Sequence, residues 1–183
     1  MPVKNLRHLP KAHLHLHLEG AMRPATLTEF CARYKIERPS DTRGQQFSNF
    51  TAFNEVYRAA SDSIRTKQDL ARVVLEVAED AAKDGANWIE LAFDADRYTI
   101  LRADRSLRLF ETPYEGWLFA LEAARNASEK TGVGISFISA IDRTRPIEQA
   151  NERAKLTTNL ISSQKHQITA KNINGGEPYA GIV

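Results

Sequence analysis

Three of the five histidines in this chain stand within five residues, at positions 13, 15 and 17. They alternate with leucines, and Glu19 and Gly20 follow directly, which is typical of a strand that ends in a turn. Because alternate side chains of a strand project to one face, we expect His13, His15 and His17 to lie side by side. Neutral imidazoles are common zinc ligands, and a His-x-His pair at the end of a barrel strand can begin a metal site. The pattern favours metal binding over a solvated row of histidines.

The strand that carries the histidines is predicted over residues 11–18. Its opposite face is aliphatic and is formed by Ala12, Leu14, Leu16 and Leu18. Two further strands are predicted at 88–94 and 133–141, because both stretches are rich in residues that favour strands. Trp88 and Trp117 fall at core spacings and are interpreted as packing residues.

Helical stretches separate these strands. Proline at 24 opens one helix, and apolar residues spaced by three and four predict others at 50–60, 67–84, 113–131 and 145–156. Strands separated by helices indicate parallel strands with crossover helices, and therefore an α/β fold. The sheet could be an open doubly wound sheet or a barrel. No glycine-rich phosphate loop follows a strand, which argues against a dinucleotide-binding version of the open sheet.

The composition is that of a globular chain of 183 residues, long enough for one domain. The net charge of +2 is too mild and too evenly spread to indicate a nucleic-acid partner. No stretch approaches the roughly 20 apolar residues of a membrane span, so no membrane association is expected. The single cysteine, Cys31, excludes an internal disulfide and is expected to pack as a small apolar residue. A cytoplasmic location fits these features.

The segment from Pro10 to Pro24 reads Pro-Lys-Ala-His-Leu-His-Leu-His-Leu-Glu-Gly-Ala-Met-Arg-Pro. It resembles the opening signature of adenosine deaminases, metal-dependent enzymes of the amidohydrolase type, whose first strand supplies two zinc ligands through His-x-His. The resemblance continues through 70–93, reaches Ile141 to Arg145, and covers about 9–156. It implies a (β/α)8 barrel of which this chain forms the N-terminal half, with zinc as cofactor and a purine nucleoside as small-molecule partner.

Carried over by position, the resemblance implies that His15 and His17 are zinc ligands and that His17 also borders the substrate. Glu19 stands where the family has an acidic residue that contacts the ribose, although glutamate replaces the usual aspartate and moves the carboxylate by one methylene. The alternative for Glu19 is a solvated loop carboxylate. His13 replaces a common acidic residue and is expected in the barrel interior or behind the ligands.

The resemblance also implies a reaction, hydrolytic deamination of adenosine or a related purine. Zinc activates water for attack on C6, and a glutamate of a later His-x-Gly-Glu motif transfers the proton while ammonia leaves. A third histidine and an aspartate complete the family's metal site. His166 does not match that pattern, and the Gly-Gly-Glu sequence ending at Glu177 arrives too early, so no catalytic residue is assigned.

A whole barrel of this type usually has about 250 residues, so at most half of one is expected here. We predict a barrel section over 1–156 and a divergent, irregular tail over 157–183. An unclosed section would expose a strand edge, which predicts self-association.

Two alternatives to a deaminase remain, a catalytically inactive fragment or subunit, and another His-x-His metal-dependent hydrolase. The arginines between the second strand and the next helix are interpreted as a solvated loop rather than an anion site, at Arg97, Arg102, Arg105 and Arg108.

Overall fold

Four parallel strands form one sheet in a computed structural model that describes residues 9–99, 108–140, 146–164 and 180–182. The strands pair in their sequence order, each with the next. They are β1 (Lys11–His17), β2 (Ala86–Phe93), β3 (Gly134–Ser139) and β4 (Ala180–Ile182).

Helices and short turns connect the strands. Short 3-10 turns follow the first two strands at Glu19–Ala21 and Ala95–Tyr98. The helices are α1 (Pro24–Tyr34), α2 (Phe50–Asp62), α3 (Lys67–Asp84), α4 (Pro113–Thr131) and α5 (Ile147–Gln164). In the part of the chain that is described, no helix has the length and apolar character needed to cross a bilayer.

The strand order decides between the two closures that the sequence left open. Each strand lies beside the one before it, so the chain advances across the sheet in a single direction. A doubly wound sheet reverses direction at a switch point, whereas the strands of a (β/α)8 barrel continue in order. The fold is therefore an open section of a barrel, and the α/β prediction is confirmed.

The core lies between the sheet and the helices. Ile89 and Leu91 of β2 are fully buried. Phe93 of β2 and Phe137 of β3 both contact Trp117 of α4, with ring centroids 5.1 and 5.8 Å away. These contacts confirm the packing role predicted for Trp117. The residues that alternate with these buried side chains along each strand face the barrel interior.

The ends of α3 illustrate why the predicted helices form where they do. The hydroxyl of Thr66 accepts a hydrogen bond from the backbone N–H of Asp69, and the Asp69 carboxylate accepts one from Thr66 in return. This reciprocal pair satisfies amide groups that the first turn leaves without partners. Gly85 ends the helix with a φ of 81°, a left-handed conformation that glycine adopts readily.

Helix α5 differs from the prediction. It continues to Gln164 instead of ending at Leu156, because Leu160 is buried and Ile161 packs against the core. Residues 180–182 then add a strand beside β3. The prediction of an irregular tail from residue 157 is therefore wrong for both of these segments.

Candidate functional site

A bulge in β1 separates the three clustered histidines. The pairing of β1 with β2 shifts register between His13 and Leu16, and His15 has a φ of 59°. A bulge of this kind interrupts the regular alternation of side chains. The expectation that all three histidines share one face is therefore wrong.

His13 faces the helices. Its Nε2 lies 3.2 Å from Oδ2 of Asp84, at the end of α3, and Nζ of Lys11 lies 3.5 Å from the same oxygen. The hydrogen bond with His13, followed by the charge of Lys11, lowers the pKa of Asp84. Because α3 packs on the outer side of the sheet, the interior position expected for His13 is also wrong.

The bulge also divides the predicted aliphatic face. Leu14 is 61% exposed, while Leu18 is fully buried and Leu16 packs against the core. Leu14 thus lies on the opposite side of the sheet from Leu16 and Leu18, and that side is the open interior side.

His15 and His17 lie together at the carboxyl end of β1. Their ring centroids are 5.4 Å apart and the ring planes are tilted by 42°. Two imidazoles on one tetrahedral zinc ion, with Zn–N distances of about 2.0–2.1 Å, have centroids roughly 5 Å apart. The pair therefore fits two positions of a zinc site. Both rings line an open cleft of about 1160 Å³.

The cleft lies where barrel enzymes place their active sites, at the carboxyl ends of the strands. One wall is α2, which contributes Phe53 and Tyr57, and the loop before it contributes the ion pair of Asp41 with Arg43. A run of aromatic contacts crosses this wall. Phe53 lies 6.2 Å from Tyr57, and Tyr57 lies 6.0 Å from His17, measured between ring centroids.

Glu19 is a buried carboxylate, only 4% exposed. The hydroxyl of Tyr57 donates to Oε2 at 2.6 Å, and the hydroxyl of Tyr98 donates to Oε1 at 2.7 Å. These two bonds compensate for the loss of water around a buried charge. The alternative of a solvated loop carboxylate is therefore wrong. Neither tyrosine belongs to a sequence motif, so nothing in the sequence pattern identified them.

Arg97 packs against Tyr57 at the same cleft. Its Nη1 donates to Oγ of Ser61 at 3.2 Å, and its guanidinium lies 5.4 Å from the ring centroid of Tyr57. Burial alone lowers the pKa of Arg97, but the charge of Glu19 and its neighbours raises it above the ordinary value. The interpretation as a solvated loop arginine is wrong for Arg97. Arg108 is exposed as expected and pairs with Glu111, whereas Arg102 and Arg105 lie outside the described residues.

The described residues form no complete set of metal ligands. Within them, no group of three or more histidine, cysteine, aspartate or glutamate side chains is placed to hold one ion. The segment from Ile141 to Arg145 lies outside the described residues, as do His166 and Glu177. His15 and His17 are a pair of neighbouring imidazoles at the cleft, with ring centroids 5.4 Å apart.

Comparison with known sequences gives consistent matches. The profile described as adenosine deaminase matches residues 10–181. A Streptomyces virginiae protein assigned as an adenosine/adenine deaminase is 32% identical over 84% of this chain and 45% of its own length. An adenosine deaminase of Clostridium acetobutylicum is 26% identical over 92% of this chain and 50% of its own length. An aminodeoxyfutalosine deaminase of Streptomyces coelicolor is 30% identical over 82% of this chain and 38% of its own length.

Solved structures show the same fold. A zinc-bound amidohydrolase from Burkholderia ambifaria matches 97% of this chain and 44% of its own, with a TM-score of 0.61 and 22% identity. The Arabidopsis N6-mAMP deaminase matches 99% of this chain and 52% of its own, with a TM-score of 0.65 and 18% identity. The chain spans about half the length of the curated relatives it matches. With nearly its whole length matched by the family profile, the chain belongs to the adenosine deaminase family.

Proposed function

We propose that this chain forms part of a zinc-dependent site for the hydrolytic deamination of a purine. The observation that carries the proposal is the pair of imidazoles at the end of β1, His15 and His17, with ring centroids 5.4 Å apart. They would be two of the zinc ligands. These residues would hold a zinc ion whose Lewis acidity would activate water for attack on the purine carbon bearing the amino group.

The bulge of β1 contributes to this site. His15 is a non-glycine residue with positive φ, a conformation that an ordinary strand position does not require. Unusual backbone conformations of this kind concentrate at functional sites, because there the surrounding structure enforces them. In this chain the bulge turns His13 outward while the next two histidines face the cleft. It thereby selects which two of three candidates are available to a metal ion.

The proposed substrate is a purine nucleoside or a purine base, bound in the cleft beside His17 and Glu19. Relatives carry names for adenosine, adenine and aminodeoxyfutalosine, which share an aminopurine and differ in what is attached to it. Each oxygen of Glu19 retains acceptor capacity beyond its bond to a tyrosine, so a ribose hydroxyl could be its third partner. The remaining ligands and the proton-transfer group would come from outside the described residues.

Zinc content is the first test of this proposal. We expect purified protein to bind zinc, and His15→Ala and His17→Ala to lose most of it. His13→Ala is the matched control, since it removes a histidine of the same strand that faces Asp84. Equal zinc in all four proteins, or an equal loss in His13→Ala, would contradict the assignment of the ligands.

Ammonia release tests the reaction separately from the metal. We expect release from adenosine or adenine that disappears in His15→Ala and His17→Ala and persists in His13→Ala. Zinc binding without release would indicate a catalytically inactive fragment or subunit. Hydrolysis of esters or cyclic amides, with no action on aminopurines, would indicate another His-x-His hydrolase.

A further inference from the structure

The imidazole of His17 has few contacts that could fix its orientation. Among the described residues no hydrogen bond reaches its ring nitrogens, and its contacts with other aromatic rings are with His15 and Tyr57. A ring at the end of a strand can turn about its side-chain bonds, so a metal ligand there depends on neighbours that hold it in place. His15 is itself a proposed ligand, so among these aromatic neighbours Tyr57 is the one that could hold the ring.

Tyr57 contacts His17 with its ring nearly perpendicular to the imidazole. The two centroids are 6.0 Å apart and the planes make an angle of 84°. An edge-to-face arrangement at this distance is among those that aromatic pairs prefer, because the positive ring edge meets the negative ring face. The contact therefore favours one orientation of the His17 ring over others.

Tyr57 is itself held from several sides. Its hydroxyl donates to Oε2 of Glu19 at 2.6 Å, and the guanidinium of Arg97 lies 5.4 Å from its ring centroid. Gly20 lies beside the ring, where an added Cβ would be in ordinary contact with Cε2 of Tyr57 at 3.4 Å. A ring held in this way limits the orientations that a neighbouring ring in contact with it can adopt.

We propose that Tyr57 is a positioning residue that orients the imidazole of His17 for metal binding, with Glu19 as its anchor. This inference rests on the proposed function, in which His17 is a zinc ligand. It assigns Glu19 a role in the site that does not depend on contact with the substrate. It also links α2, which forms a wall of the cleft, to the metal-binding strand.

The experiment compares metal affinity in variants of two tyrosines that share one acceptor. Tyr57 and Tyr98 each donate one hydroxyl to Glu19, but Tyr98 stacks on Phe93 with ring centroids 5.7 Å apart, whereas Tyr57 contacts His17. Tyr98→Phe is therefore the matched control for Tyr57→Phe. Tyr57→Leu removes the ring as well as the hydroxyl.

Zinc and Co²⁺ titrations of the full chain provide the readout, with the visible spectrum of bound Co²⁺ as a report on ligand geometry. We expect Tyr57→Leu to weaken metal binding about tenfold, as is common when a residue that supports a metal ligand is lost. Tyr57→Phe should weaken binding by a smaller factor and alter the Co²⁺ spectrum, because the ring remains without its anchor. Tyr98→Phe should match the wild type within about twofold.

Two results would overturn the inference, wild-type affinity and spectrum in both Tyr57 variants, or a loss in Tyr98→Phe as large as that in Tyr57→Phe. If Tyr57→Leu does not fold, as judged by circular dichroism, the comparison of the two phenylalanine variants decides. Failure of the proposed function looks different, since His17→Ala would then bind metal as well as the wild type does. Affinity lost in His17→Ala and unchanged in the Tyr57 variants would contradict the positioning role alone.

Discussion

The hydroxyl of Tyr98 donates a hydrogen bond of 2.7 Å to Oε1 of Glu19, joining the turn after β2 to the turn after β1. Both side chains are buried. The second carboxylate oxygen of Glu19 takes an equivalent bond from Tyr57 of α2. One carboxylate thus holds three segments of the chain together at the edge of the cleft.

Removing this carboxylate should destabilise the fold. We expect Glu19→Ala to lower the free energy of unfolding by about 2–4 kcal/mol, because hydrogen bonds to charged groups are strong and two buried hydroxyls would lose their acceptor. Glu19→Gln should have a smaller effect, since the amide oxygen still accepts one bond. Urea unfolding followed by circular dichroism measures both changes.

Glu129→Ala provides the control for that comparison, because Glu129 is an exposed glutamate of α4. Its substitution should change the free energy of unfolding by less than about 0.5 kcal/mol. Equal effects of the Glu19 and Glu129 substitutions would show that the two tyrosine bonds add nothing to stability.

The elements of the fold were largely predictable because their signals are local. Thr66 and Gly85 bracket α3, and Thr112 and Gly132 bracket α4, as their capping chemistry indicates. A cap depends on residues within one turn of the helix end, so neighbouring sequence contains the information. The last two turns of α5, which bury Leu160, lack such a local signal, because the apolar pattern beyond Leu156 is weak.

The site was predictable only in part because its geometry depends on distant segments. The His-x-His spacing correctly predicts that His15 lies beside His17. The regular alternation of histidine and leucine gives no sign of the bulge that turns His13 toward Asp84. A bulge depends on pairing with β2, which lies some 70 residues further along the chain. The burial of Glu19 likewise depends on tyrosines of other elements, for which its own neighbours in sequence give no signal.

Arg153 should stabilise the attachment of α5 to the sheet. Its side chain is 11% exposed, pairs with Asp94 at 3.4 Å and with Asp96 more closely, and donates to the backbone oxygen of Ala140 at 3.3 Å. Arg153→Met removes the cation from two partly buried carboxylates. We expect a loss of about 2–3 kcal/mol, less than for a fully buried pair because water still reaches both aspartates.

Amide hydrogen exchange localises the effect of this substitution. Exchange in α5 should accelerate in Arg153→Met more than exchange in α3, since the ion pairs of Arg153 attach α5, and not α3, to the sheet. Lys155→Ala is the matched control, because Lys155 is an exposed cation two residues away on the same helix. Similar exchange in the two variants would mean that Arg153 does not attach the helix.

Gly134 is required by the close approach of Trp88. A Cβ at position 134 would lie 2.5 Å from Cε3 of the indole, closer than any real contact, so the indole or the strand would have to move. We expect Gly134→Ala to lower the free energy of unfolding by about 1–3 kcal/mol and to shift tryptophan fluorescence.

Gly20→Ala is the corresponding control, because its added Cβ would meet Tyr57 at 3.4 Å, an ordinary contact. It should leave both the fluorescence and the stability close to those of the wild type. An unchanged Gly134→Ala protein would show that Trp88 does not lie against this strand.

Acid should weaken the contact between α1 and α3. Nε and Nη2 of Arg23 donate to the two carboxylate oxygens of Asp80 at 2.8 and 2.7 Å, and these hydrogen bonds lower the pKa of Asp80 below its ordinary value of 3.8. A carboxyl group whose pKa is lower in the folded protein binds its proton more readily when unfolded. Its contribution to stability is therefore present above pH 3.8 and is lost as the pH falls below that value.

We expect the free energy of unfolding to fall as the pH drops below about 3.8, and to fall less steeply in Arg23→Ala. The effect should be modest and should shrink in high salt, because Asp80 is partly exposed and water screens the pair. Arg125→Ala removes an arginine that pairs with Glu122 on the surface of α4, and controls for the loss of one positive charge. Parallel acid profiles for Arg23→Ala and the wild type would show that the Arg23 contact does not couple Asp80 to folding.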